Sequence, residues 1–205
     1  MLLLYKSLYA IKNSFPKVWI FGSGPTEYKY QDLREFRDPI IFINDTHLMA
    51  DDCPSDHKFF VTHHLSKYQR VSPVTIFLRK ATSLTTEWNI SAESRYFPVN
   101  ACIAISVFLE DEVTEEFFQQ HAWLLNRDIV AEKNTIASFS GSVTTALYIS
   151  WFMGCLEPTL VGCNPESLTD NHDPRIGGAM IYDPAKIRRN QILLTQILGL
   201  KPIYL

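Results

Sequence analysis

The sequence predicts one α/β domain: a doubly wound, mostly parallel sheet with helices on both faces. Three observations carry that reading. Short, continuously apolar runs such as Pro39-Ile-Ile-Phe-Ile-Asn44 look like strands buried on both faces. Stretches with helical spacing alternate with them along the chain. The 205 residues, 46% hydrophobic, suffice for one such domain, and no repeat, low-complexity tract or linker divides them.

The elements follow in order. Leu4, Leu8, Ile11 and Phe15 fall at helical spacing, which predicts a short amphipathic helix within residues 1–16. It is expected to pack against the body or a partner subunit; the alternative is peripheral membrane contact through residues 1–15. Lys6 and Lys12 interrupt this stretch and it has no small-residue cleavage site. No run reaches the ~20 apolar residues of a membrane-spanning helix. Residues 17–205 form the α/β domain proper.

Val18–Phe21 reads as the first strand. It runs into Gly22-Ser23-Gly24-Pro25-Thr26, a turn without bulky side chains. Such a turn lets backbone N–H groups approach a phosphate, and a following helix start adds a positive dipole. The third glycine of G-x-G-x-x-G is missing, so an ordinary tight strand-to-helix turn is the competing reading. Tyr28–Phe36 is a short helix, and 39–44, 58–62 and 73–78 are strands. Tyr96–Val99 is a short strand near an edge, because of Pro98. Residues 81–94 have no clear period and read as loop.

Glu112–Leu125 is a helix with acidic residues in its first turn and Val113, Phe117, His121 and Leu124 along one face. Residues 126–138 are variable in character. Gly141–Met153 is a strong helix, striped by Val143, Leu147, Ser150 and Trp151 and stopped by Gly154. Pro158–Val161 is a strand closed by the turn 162–165. Residues 164–181 are loop, and Pro184 suits the first turn of a helix over 184–198. A closing strand spans 201–205. The strand aromatics Trp19, Phe21, Phe42, Phe59 and Phe60 belong to the core.

A net charge of −3 and a pI near 6.1 give no global attraction to nucleic acid. The four cysteines form no C-x-x-C pair, and Cys102 and Cys155 sit in apolar runs as small core residues. A reducing cytoplasm fits them, and zinc spacing is absent.

Polar clusters gather where strands end: Gly22–Thr26, Asn44–His47 with Asp45, Thr62–His64, and Gly162–Asn164. Phe139-Ser-Gly-Ser142 opens a helix. Open α/β sheets bind ligands at that carboxyl edge.

Phe21-Gly-Ser-Gly-Pro-Thr26, Ile43-Asn44, Ser140-Gly-Ser-Val-Thr-Thr-Ala146, Gly154 and Pro158-Thr-Leu-Val-Gly-Cys-Asn164 come in a recognisable order. From about Lys17 to Leu205 the chain resembles two related bacterial groups. One is the lipooligosaccharide sialyltransferases that use CMP-sialic acid; the other is the motility-associated flagellin glycosyltransferase-like proteins. The resemblance implies a Rossmann-like glycosyltransferase with no metal cofactor. Its donor would be a CMP-activated acidic sugar, a sialic acid or Kdo, and its acceptor a cell-surface glycan. It implies that Gly22, Ser23, Gly24, Pro25, Thr26, Asn44, Ser140 and Gly141 face the nucleotide and donor. Ser23 stands where the sialyltransferases carry Asn, and Asn164 where the Gly-x-Asp turn carries an acid.

Residue chemistry extends this. Ser140, Gly141 and Ser142 at a helix start suit a departing phosphate. Asp45, Thr62 and Asn164 sit at the ends of other strands. An acceptor hydroxyl needs a base, and the candidates are His172, flanked by Asp170 and Asp173, and His63 or His64. Arg175 lies where a bidentate contact to an acidic sugar is expected. Asp51-Asp52 and Asp170–Asp173 read as surface carboxylates rather than metal ligands, and Arg188-Arg189 as a solvated helix face. The competing functions are a non-catalytic nucleotide-binding relative and a different nucleotide-dependent enzyme on the same fold. A homo-oligomer and a cytoplasmic location, with peripheral contact at the inner membrane face as the alternative, complete the expectations.

Overall fold

Among the described residues, eight strands hydrogen-bond side by side in the order β6-β5-β4-β3-β2-β1-β7-β8, and every pair is parallel. They are β1 (Trp19–Phe21), β2 (Ile40–Ile43), β3 (Lys58–Thr62), β4 (Thr75–Lys80), β5 (Cys102–Leu109), β6 (Thr135–Ser138), β7 (Thr159–Val161) and β8 (Ile203–Tyr204). The computed structural model describes residues 7–24, 30–62, 75–80, 102–109, 112–139, 141–165 and 183–205. The strand expected at 96–99 and the loop expected at 81–94 lie outside them.

The α-helices are α1 (Glu115–Gln120), α2 (Arg127–Glu132), α3 (Ser142–Phe152) and α4 (Pro184–Leu198). Tighter 3₁₀ segments cover Leu8–Ala10, Tyr30–Glu35, Asn44–Asp51 and Ala122–Leu125. The protein is therefore α/β, with an all-parallel sheet.

Strand residues alternate between two cores, as a period of two requires. Ile20, Ile41, Ile43, Phe59, Val61 and Leu160 point into one, packed with residues from α1 to α4. Phe21, Ile40, Phe42, Phe60 and Val161 point into the other, against Leu33, Phe36, Ala50 and Cys53. Burial of each such side chain stabilises the fold by about 1.5–3 kcal/mol. Helices were expected on both faces. Among the described residues the α-helices pack on one face, and 3₁₀ segments with their flanks cover the other.

Two helices are shorter than their patterns predict. The stretch over 112–125 breaks at His121, whose backbone leaves the helical region (φ −120°, ψ 44°). Thr114 caps α1 by accepting from the Phe117 N–H, and Asn126 caps α2 by accepting from Asp128 and Ile129. The helix expected over 28–36 is the 3₁₀ segment Tyr30–Glu35. By contrast, α4 has its predicted bounds, with Asp183 as its cap, Pro184 in its first turn and left-handed Gly199 closing it.

The N-terminal segment belongs to the body. Its described part is one 3₁₀ turn rather than an α-helix, yet Leu8, Ile11 and Phe15 are buried in the helical-face core. Backbone bonds from Asn13 to Phe152 (3.2 Å) and from Phe15 to Met153 (2.8 Å) tie it to the end of α3. Lys12 pairs with Asp128, and Arg127 donates to the Asn13 side chain at 2.8 Å. Gly154 permits this approach: a Cβ there would lie 3.0 Å from the Asn13 Cα, and its φ is +98°. Among the described residues no helix is long and apolar enough to cross a membrane.

Candidate functional site

Strand order reverses around β1. The chain builds outward from it through β2 to β6, then returns to its other side with β7 and β8. Such a reversal leaves a crevice at the carboxyl ends of the two flanking strands. Gly22, Ser23 and Gly24 follow β1 there, and Gly162, Cys163 and Asn164 follow β7.

These two turns interlock through their backbones. Gly22 N–H donates to the Val161 carbonyl at 2.8 Å, and Gly24 N–H to the Gly162 carbonyl at 2.9 Å. A Cβ on Gly24 would lie 2.6 Å from the Gly162 oxygen, and one on Gly22 would lie 2.5 Å from Cys163 Sγ. Gly162 itself adopts φ +61°. The glycines thus answer a need for close backbone packing, and the Gly24 N–H already has its acceptor.

Cys163 fills the space beneath Gly22. Its thiol donates to the Val161 carbonyl at 3.4 Å, and burial pushes its pKa up to about 12. It stays a neutral thiol at physiological pH and is no nucleophile. The Cys163 carbonyl accepts from Gln191 Nε2 of α4 at 2.9 Å, and the same nitrogen donates to the Tyr204 hydroxyl at 3.2 Å. α4 is thereby anchored beneath the β7 turn.

Asn44 follows β2 and opens the next 3₁₀ segment with its backbone in the left-handed region (φ 50°), where Asn is among the residues best tolerated. Its Oδ1 accepts from the Ser142 hydroxyl at 3.3 Å, a contact between residues 98 apart in sequence. Ser142 is the first residue of α3. Gly141 precedes it as N-cap with φ +97°, a conformation suited to glycine, and supplies no capping side chain. The first-turn N–H groups of Ser142 and Val143 have no intrahelical acceptor by helix geometry, while those of Thr144 and Thr145 reach the Gly141 carbonyl. No acidic residue occupies that first turn. The end of α3 beside Asn44 is accordingly electropositive. Ser23, Gly24, Asn44, Gly141, Ser142 and Asn164 are all half-buried.

Thr46 escaped the sequence reading. Its hydroxyl is fully buried and bonds to Phe21 O (2.8 Å), Ile43 O (2.9 Å) and Ile43 N (2.9 Å). It joins the ends of β1 and β2. Threonine two residues past a strand-ending Asn is the only sequence signal, since such side chains bond locally to backbone.

Asp45 lies in the 3₁₀ segment after β2, and Thr62 is the last residue of β3. Pro25, Thr26, His63, Ser140, His172 and Arg175 lie outside the described residues. Asp51, Asp52, Arg188 and Arg189 are exposed. Among the described residues, no three His, Cys, Asp or Glu side chains cluster closely enough to hold a metal ion.

Comparison of the chain with protein-family models, with curated proteins and with solved structures returned no match.

Proposed function

We propose that this protein is a glycosyltransferase of the sialyltransferase-like type, built on a Rossmann-like sheet and using a CMP-activated acidic sugar. One observation carries the reading. Asn44 and Ser142, singled out separately in the sequence, hydrogen-bond to each other at the sheet's carboxyl edge, in the same edge as the β1 and β7 turns. That edge joins an electropositive helix start to a carboxamide and hydroxyls. Such groups suit a phosphate that gains charge as it leaves.

In this reading the phosphate of the donor sits at the start of α3, held by first-turn N–H groups and the Ser142 hydroxyl. Asn44 orients that hydroxyl and meets the nucleotide or the donor sugar. The interlocked glycine turns form the rigid floor of the crevice, and Asn164 lines the β7 side. The acceptor glycan enters from solvent. Its hydroxyl loses a proton to a histidine, for which His172 and His63 are the candidates, and Arg175 pairs with the sugar carboxylate. Transfer needs no metal. The enzyme works in the cytoplasm, where it meets membrane-linked acceptors at the inner face.

A second reading is a nucleotide-binding relative without transferase activity. The commitment of the Gly24 N–H to Gly162, together with Asn164 in place of an acid, favours it. Titration with CMP and then with a CMP-sugar separates the two. Binding with donor turnover supports the transferase. Binding without turnover, on any acceptor or water, supports the relative. Indifference to every cytidine nucleotide contradicts both.

A further inference from the structure

The parallel register sets Phe21 opposite Phe42, and Trp19 N–H donates to the Pro39 carbonyl at 2.9 Å. Continued by the parallel pattern, the last rung of this ladder would be Ile43 N–H to Phe21 O. The Thr46 hydroxyl stands at that rung. It accepts from Ile43 N–H at 2.9 Å and lies 2.8 Å from Phe21 O. The side chain is fully buried, so water does not compete for these bonds.

We infer that Thr46 is a positioning residue, a hydroxyl wedge that spreads the ends of β1 and β2 and sets Asn44 for ligand contact. The inference rests on the proposed nucleotide site. Three features support the wedge. Its partners are the last residues of two adjacent strands, immediately before Gly22 and Asn44. Asn44 lies between Ile43 and Thr46 and takes the left-handed turn there (φ 50°). That turn leaves the Asn44 carboxamide against Ser142 of α3. Removing the hydroxyl lets Ile43 N–H bond Phe21 O directly. The sheet then closes by one rung, the Asn44 turn shifts, and the fold survives.

The test compares Thr46→Val and Thr46→Ser with wild type in calorimetric titrations with CMP, alongside thermal unfolding without ligand. Thr46→Val is expected to stay folded and lose tenfold or more in CMP affinity. Thr46→Ser, which keeps the hydroxyl, is expected to bind within about threefold of wild type. Asn44→Gly keeps the left-handed backbone without the carboxamide, and it should match the loss in Thr46→Val. A Thr46→Val protein that binds CMP as wild type does overturns the inference and leaves the site standing. So does a Thr46→Ser protein as impaired as Thr46→Val. If Thr46→Val fails to fold, the comparison of Thr46→Ser with Asn44→Gly decides: equal losses overturn the wedge. A wild-type protein that ignores CMP overturns both the site and the wedge.

Discussion

The Ser142 hydroxyl donates to the Asn44 carboxamide oxygen across 3.3 Å, joining the first residue of α3 to the end of β2. One residue opens a helix and the other immediately follows a strand, so the bond ties α3 to the carboxyl edge of the sheet. Ser142→Ala and Asn44→Ala are each expected to weaken CMP binding about tenfold, or ~1.4 kcal/mol. Because the two side chains touch, the double variant should lose less than the sum, with a coupling of about 0.5 kcal/mol or more. Calorimetric titration of all four proteins checks this. Strictly additive losses would mean that the pair does not act together on ligand.

The interlocked turns make a stability prediction that needs no ligand. A methyl on Gly24 meets the Gly162 carbonyl oxygen at 2.6 Å. Gly24→Ala is expected to destabilise the fold by about 1–3 kcal/mol through overpacking. Gly162→Ala combines a similar clash with φ +61° and should lose roughly 1–2 kcal/mol more. Urea midpoints measure both. Wild-type midpoints in either variant would show that the two turns do not pack as described.

Cys163 sets an alkaline limit. Its folded pKa is raised by burial from 9.0 to about 12. A group raised in this way keeps its proton in the fold while the unfolded chain gives it up. Its stabilising contribution is complete below about pH 9 and declines as pH rises toward 12. Burial raises Cys53 and Cys155 in the same direction. The unfolding midpoint should therefore fall between pH 9 and 11, and fall less steeply in Cys163→Ala. A midpoint independent of pH over that window would contradict the buried neutral thiol.

The N-terminal segment is held by burial rather than by charge. Ile11 is fully buried, and Ile11→Ala is expected to lose about 2–5 kcal/mol. Lys12 pairs with an Asp128 whose side chain is 80% exposed, so Lys12→Ala should lose about 0–1 kcal/mol. Denaturant unfolding ranks the two. Equal effects would mean that the segment is not part of the core.

Continuous apolar runs with β-branched or aromatic residues marked β2, β3 and β7, and the predicted bounds of β3 are those observed. Two strands escaped. β5 (Cys102–Leu109) is apolar apart from Ser106, and periodicity alone does not separate such a short run from a helical segment. β6 (Thr135–Ser138) follows the six-residue α2, whose length is too short to display a helical period. The edge residues Asn44 and Ser142 were legible because strand ends and helix starts have local signals. Thr46 and Gln191 were not, because their roles come from partners distant in sequence: Phe21 for one, Cys163 for the other. The Gly22-Ser23-Gly24 turn was legible as a motif, but its close fit to Gly162 became visible only once β7 lay beside β1.

The most direct test is thermal unfolding with CMP, CDP, UDP, GDP, ATP and S-adenosylmethionine, each with and without manganese. A ligand at ~100 times its dissociation constant stabilises the fold by about 2.7 kcal/mol, a readily measured shift. The expected result is a CMP-selective rise in midpoint that manganese does not change and that Ser142→Ala diminishes. No response to cytidine nucleotides, or a larger response to ATP or S-adenosylmethionine, would contradict the glycosyltransferase assignment.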